Sequence, residues 1–227
     1  NTSSTHLLSL INDILDMSKI ESTGVELNEE PVSLAEQIGQ VDSIIRSQTN
    51  EHGQTFHISV HEIAHEYLVC DGVRLRQILL NLLSNAVKYT PNGGTILFDI
   101  TELPCIRSGC AKYVFTVTDN GYGMEPEFLE HIFEPFTRAE HSVTNKVQGT
   151  GLGMTITKSI IDRMGGEIQV QSEPGRGSRF TVTLTLPLDP NAAYDLGAQH
   201  ILLVSGDNTL IRNMRAVPAG GPAIQRR

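Results

Sequence analysis

The stretch from Asp71 to Gly94 constrains the fold of this chain more than any other. Leu75, Ile78, Leu79, Leu82, Leu83 and Ala86 recur at spacings of one, three and four, the pattern of a helix with one wide apolar face. Asp71 is placed to cap its start, and Pro91-Asn-Gly-Gly94 closes it with a turn. On either side the period changes to two: Phe56, Ile58 and Val60 alternate with polar residues, Tyr67, Leu68 and Val69 predict a short strand, and Thr95 to Leu103 and Lys112 to Thr118 predict two longer ones joined by a loop with Pro104 and Gly109. A helix of this kind set among strands must lay its apolar face on their sheet.

The remaining periodicities extend that picture. Leu34, Ile38, Val41 and Ile45 predict a helix reaching about Gly53, Leu152 to Met164 predict another, and Glu167 to Gln171 with Arg179 to Leu186 predict closing strands around Pro174-Gly175. These strands and three helices make one α/β layer pair, a two-layer α/β sandwich. Upstream, Leu7, Ile11, Ile14, Met17 and Ile20 mark a long amphipathic helix over residues 3 to 22 whose apolar stripe needs a partner. Residues 190 to 227 fit this scheme poorly: Ile201-Leu-Leu-Val204 resembles one buried strand before a Pro- and Gly-rich end.

Totals bound the function. A hydrophobic fraction of 39% in 227 residues supports a packed core, and 17 basic against 26 acidic side chains leave −9, so no overall basic field draws the chain to nucleic acid or anionic lipid. An anionic ligand must find local positive groups and helix ends instead. No run approaches the roughly 18 apolar residues of a membrane-spanning helix. Cys70, Cys105 and Cys110 form no C-x-x-C pair and suit reduced cytosolic thiols, a Cys105–Cys110 loop disulfide being the alternative.

Three polar constellations stand out against this frame. Asn81 and Asn85, four apart on the long helix, project from one side, with Lys88 and Tyr89 a turn later. Amide oxygens suit magnesium, Lys88 offers a point charge to phosphate and Tyr89 a flat face to a base, although a solvated polar stripe has the same pattern. Asp119-Asn-Gly-Tyr-Gly-Met124 follows a strand: Asp119 is an acceptor suited to a purine exocyclic amine, and Gly121 and Gly123 permit close backbone approach, although Asp-Asn-Gly is also a common turn. Gly149, Gly151 and Gly153, with Leu152 between them, precede a helix start whose N–H groups favour phosphate. This is neither a Walker loop nor a dinucleotide fingerprint, since Met154 stands where the latter has its third glycine. The polar stretch Glu134 to Gln148 suits a lid, bringing Arg138 and Lys146 toward phosphates when closed.

With Phe133-Glu-Pro-Phe136, these constellations occur in the order of four known boxes. Residues 31 to 188 resemble the catalytic ATP-binding domain of sensor histidine kinases, a branch of the gyrase, Hsp90 and MutL type ATPases: an N box (Asn81, Asn85, Lys88, Tyr89), a first glycine box (Asp119 to Met124), an F box (Phe133, Phe136) and a second glycine box (Gly149 to Gly153). The resemblance implies the Bergerat-type sandwich, a mixed sheet covered by helices on one face. It implies that Asp119 binds the adenine amine, Tyr89 packs near the base, Asn85 coordinates Mg²⁺, and Lys88 and Arg138 contact phosphate, with the phenylalanines anchoring the lid. Asn81 occupies the place of the gyrase branch's catalytic glutamate, which fits an enzyme that awaits a histidine nucleophile instead of activating water.

Residues 1 to 22 are similar to the second helix of the family's dimerisation and phosphotransfer domain, 23 to 30 to a linker, and 189 to 227 either to a linker with the start of a receiver domain or to a disordered tail. The implied partners are a histidine-bearing dimerisation domain, in the parent chain or a homodimer partner, and a response regulator receiver domain. No nucleic acid and no direct membrane contact are expected of this cytoplasmic segment, whether or not its parent is membrane-anchored. None of the eight histidines, His6 included, has the family's acceptor setting of Ser-His-Glu followed by Arg and Pro, so the chain is expected to bind ATP without completing autophosphorylation. The competing expectations are an ATP hydrolase or serine kinase of the same superfamily, and a nucleotide-binding pseudokinase. His61-Glu-Ile-Ala-His65 is a literal H-E-x-x-H, but it lies between strand-like runs, whereas a zinc site needs both histidines on one helix face.

Overall fold

The computed structural model describes residues 26–61, 63–137 and 150–192. The expected helix over residues 3 to 22, His6, Lys146 and the tail from Ile201 lie outside them. Seven strands and four helices occur in the order β1 (Glu30–Ser33), α1 (Leu34–Glu51), β2 (Thr55–His61), β3 (Tyr67–Cys70), α2 (Gly72–Tyr89), β4 (Thr95–Leu103), β5 (Cys110–Asp119), the single turn α3 (Pro126–Leu129), α4 (Gly153–Arg163), β6 (Glu167–Glu173) and β7 (Gly177–Pro187).

Five strands form the main sheet in the order β2-β4-β5-β7-β6. β2 and β4 are parallel, with Phe56 opposite Ile96, and need the long connection through β3 and α2. The other pairs are antiparallel, so the sheet is mixed. Alternation sorts the faces: Phe56, Ile58, Val60, Ile96, Phe98, Ile100, Tyr113, Phe115, Val117, Phe180, Val182 and Leu184 are all buried beneath the helices. α2 crosses the middle of the sheet over β5, flanked by α1 over β2 and α4 over β6.

α1 and α2, the two longest helices described, begin where the sequence provides a cap. Ser33 Oγ accepts from the Glu36 N–H at 3.2 Å, and Asp71 Oδ1 from the Arg74 N–H at 2.9 Å. The expected apolar positions of α1 and α2 are buried. Buried Gln54 ties the helix layer to the sheet, its Nε2 donating to the carbonyls of Val87 at 2.9 Å and Thr90 at 2.6 Å.

The expected set of strands requires correction. β1 was not foreseen, and β3, read as one strand among the others, pairs with β1 as a separate two-stranded ribbon, Val32 facing Leu68. The H-E-x-x-H string also has another use. His61 ends β2 and faces Asp99 at 3.6 Å, while His65 lies in irregular chain with Nδ1 2.6 Å from Glu102 Oε1, and the other Glu102 oxygen accepts from the Ala64 and His65 N–H groups. The two histidines are not on a helix, and among the described residues no three His, Cys, Asp or Glu side chains gather as metal ligands. All three cysteines are free thiols. Burial, then the neighbouring Asp71, Glu29 and Glu30, push the Cys70 thiol up to about 12, so it is an inert core residue. Among the described residues no helix is long and apolar enough to cross a membrane.

Candidate functional site

Asp119 ends β5 between β4 and β7, opposite Ile96 and Ser178, and is 7% exposed. A carboxylate there is costly. Burial pushes its pKa up, partly offset by the N–H groups of Gly121 and Ser178, of which the Gly121 N–H donates to Oδ1 at 2.9 Å. The residues after it are pinned on three sides. Asn120 Oδ1 accepts from the Thr95 N–H at 2.7 Å, the Tyr122 N–H donates to the Tyr89 carbonyl at 3.1 Å, and the Gly175 N–H donates to the Tyr122 carbonyl at 2.7 Å.

This packing explains the glycines. A Cβ on Gly121 would stand 2.2 Å from the Tyr89 carbonyl oxygen, and one on Gly123, at φ +67°, would stand 2.0 Å from the Glu173 carbonyl oxygen. The sequence reading missed a third position. Gly177 has φ +93°, and a Cβ there would stand 2.0 Å from the Asp119 carbonyl oxygen, so it lets β7 lie close against the Asp119 backbone. The turn at Pro174-Gly175 drew attention only as a strand connection; its partner on the next strand carried no separate signal.

Asn81 and Asn85 share the side of α2 that meets the start of α4. Asn81 Nδ2 donates to the Gly153 carbonyl at 3.3 Å and to Thr157 Oγ1 at 3.1 Å; Asn85 Nδ2 lies 3.4 Å from Met154 Sδ. With its nitrogen turned to sulfur, the Asn85 amide keeps its oxygen for a hard cation. Lys88 is exposed and Tyr89 half-buried in the last turn of α2, directly before the carbonyl that holds Tyr122. Asp119, Gly121, Gly123, Asn81, Asn85, Lys88 and Tyr89 thus belong to one region, formed where α2, α4 and the loop after β5 meet.

The α4 end of the region is set by backbone. Leu152, 1% exposed, anchors it in the core, and its N–H donates to Thr150 Oγ1 at 3.1 Å. Gly151 takes φ +73° because a Cβ would lie 2.9 Å from the Phe136 backbone, and the Phe136 N–H donates to the Gly151 carbonyl at 3.1 Å. Gly153 opens α4, an eleven-residue helix whose first-turn N–H groups suit an anion. Arg138 and Gly149 lie outside the described residues. The two phenylalanines do not anchor alike: Phe133 packs half-buried beside Ile132, which is 6% exposed, whereas Phe136 is 69% exposed at φ +63° and holds by its backbone alone.

A buried acceptor on a glycine floor, amide oxygens on a helix and a helix N-terminus together can hold a purine at one end and metal-bound phosphates at the other. Residues 70–190 match the model of the histidine kinase-, DNA gyrase B- and HSP90-like ATPases. The chain is similar to the autoinducer 2 sensor kinase/phosphatase LuxQ of Vibrio parahaemolyticus, 38% identical over 179 residues that cover 79% of this chain and 21% of that protein. It spans about a fifth of this relative's length. Among solved structures it is similar to full-length ShkA in complex with AMPPNP (TM-score 0.68, 31% identity, 83% of this chain and 37% of that one) and to the catalytic domain of histidine kinase ThkA (TM-score 0.57, 25% identity, 70% and 97%). The chain belongs to the histidine kinase-, DNA gyrase B- and HSP90-like ATPase family, as the ATP-binding core of its sensor histidine kinase branch.

Proposed function

We propose that this core donates the γ-phosphate of ATP to a histidine of a dimerisation and phosphotransfer domain. In this reading Asp119 accepts from the adenine amine, Tyr89 lies near the base, and Gly121 and Gly123 hold the loop beneath the ligand by packing against the Tyr89 and Glu173 carbonyls. Asn85 ligates Mg²⁺, Lys88 and Arg138 meet phosphate, and Gly149 to Gly153, with Leu152 as their fixed point, form the phosphate-side loop. Asn81 is the amide that replaces a water-activating carboxylate. The observation that carries the reading is Asp119, a carboxylate 7% exposed and seated between Gly121 and Gly177, whose added Cβ atoms would strike backbone.

The residues fit a magnesium-bound nucleotide by their chemistry: Asn85 offers an amide oxygen, and the start of α4 offers N–H groups. Magnesium would supply charge neutralisation between phosphate oxygens. The chain's own contribution is positioning, the dominant requirement in phosphoryl transfer. Residues 31 to 188 would be the donor domain and 1 to 22 part of the histidine-bearing hairpin, with a receiver domain as the next acceptor. None of the eight histidines has the acceptor setting, so we place the acceptor on another segment or chain. Mixing this chain, labelled ATP and Mg²⁺ with a separately made histidine-bearing domain tests the proposal. Acid-labile label on that domain, absent with Asp119→Asn, is the expected result. Release of free phosphate with no label on the domain would point to a hydrolase instead.

A further inference from the structure

Asn81 meets α4 in a way that admits one orientation of its amide. The Gly153 carbonyl, 3.3 Å away, can only accept, so Asn81 must present nitrogen to it. The same nitrogen lies 3.1 Å from Thr157 Oγ1, and Thr157 is fully buried one turn after Gly153 on the same face of α4. The two N–H bonds therefore point into α4, and Oδ1 is the atom left to face a ligand. Thr157 suits this task because its hydroxyl oxygen can accept from the Asn81 N–H. A carboxylate at position 81 would set a charged acceptor against the Gly153 carbonyl with no proton between them.

We propose that Thr157 is a positioning residue which, with the Gly153 carbonyl, clasps Asn81 in one amide orientation and reserves position 81 for an amide over a water-activating carboxylate. The inference rests on the phosphoryl-donor reading above and adds a residue that neither the boxes nor their spacing mark. It also gives α4 a second task. Besides starting from the phosphate-side loop, it sets the amide that α2 offers to the reacting end of the nucleotide.

Two variants separate this role from simple packing. Thr157→Val keeps the shape and removes the acceptor, and Thr157→Ser keeps the acceptor. In the transfer assay with the separate histidine-bearing domain, Thr157→Val is expected to lower kcat about tenfold while the KM for ATP stays within about twofold, and Thr157→Ser to recover most of the loss. Wild-type kcat in Thr157→Val, or equal losses in both variants, would overturn the clasp. Failure of the wild-type chain to label the acceptor at all would overturn the donor reading instead, and a thermal measurement still tests the clasp. Asn81→Asp is expected to unfold at a lower temperature than Asn81→Ala, because a carboxylate meets the Gly153 carbonyl and alanine does not; an equal or higher Tm for Asn81→Asp would contradict it.

Discussion

Asp119 concentrates the chemistry of the site in one side chain. Burial raises its pKa, so the folded protein holds this proton more tightly than the unfolded chain does. Its contribution to stability is therefore largest in acid and is lost as pH rises from the unfolded value through the raised folded one. Asp119→Asn is expected to leave the nucleotide-free protein at least as stable at neutral pH, the difference closing in acid, as a Tm series across pH would show. On the proposed reading binding runs the other way: the ionised carboxylate is the stronger acceptor for an adenine amine, so affinity for an ATP analogue should fall as pH drops through the raised pKa. Losing a hydrogen bond to a charged group costs about 1.5–3 kcal/mol, so Asp119→Asn should weaken binding roughly ten- to a hundredfold by titration calorimetry. The place of Asp119 was legible because a strand delivers it into a glycine-rich loop. That of Gly177 was not: its constraint is a Cβ 2.0 Å from the Asp119 carbonyl oxygen, a contact across strands that local sequence does not encode. Gly177→Ala combines that clash with a positive φ and should destabilise by more than about 1 kcal/mol and weaken nucleotide binding together. A Tm and an affinity both equal to wild type would refute that account of the seat.

α2 joins fold to function because it has two working sides. Leu75, Ile78, Leu79, Leu82 and Leu83 are buried on the sheet, while Asn81 and Asn85 lie on the flank that meets α4, so packing of the one sets the position of the other. Leu79→Ala, at a site with 0% exposure, should cost about 2–5 kcal/mol, visible as a lower denaturant midpoint with an unchanged slope. This helix was readable from its cap, its period and its closing turn, all local signals. β1 was not, since Glu30-Pro-Val-Ser33 has four residues and is defined by its partner β3, whose Leu68 faces Val32. The F box fell between these cases. Its position was legible, but Phe136 is exposed and held through the Gly151 carbonyl, whereas the buried neighbour Ile132 carried no motif.

The whole molecule sets a demand that no single residue meets. A chain with formal charge −9 must hold a polyanion, and without compensation each added phosphate charge is repelled by the protein's own field. The described site answers with short-range features: the exposed Lys88 and the N–H groups at the start of α4. These are few beside the charge of a triphosphate. On the proposed reading, with Arg138 adding its charge, a divalent cation on Asn85 is expected to be a condition of binding as well as of transfer, and the two requirements can be measured in one experiment. A nonhydrolysable ATP analogue with Mg²⁺ at about a hundred times its Kd should stabilise the fold by about 2.7 kcal/mol, a rise in Tm of roughly 5–10 °C for a chain of this size. Chelating the metal at the same analogue concentration should remove most of that rise, and Asn85→Ala should remove it with the metal present. Adenosine carries no phosphate charge, so its weaker stabilisation should depend on Asp119 and be indifferent to chelator. A full Tm rise with ATP analogue in the presence of chelator would show that Lys88 and the α4 N-terminus neutralise the phosphates unaided, and would remove Asn85 from the binding step.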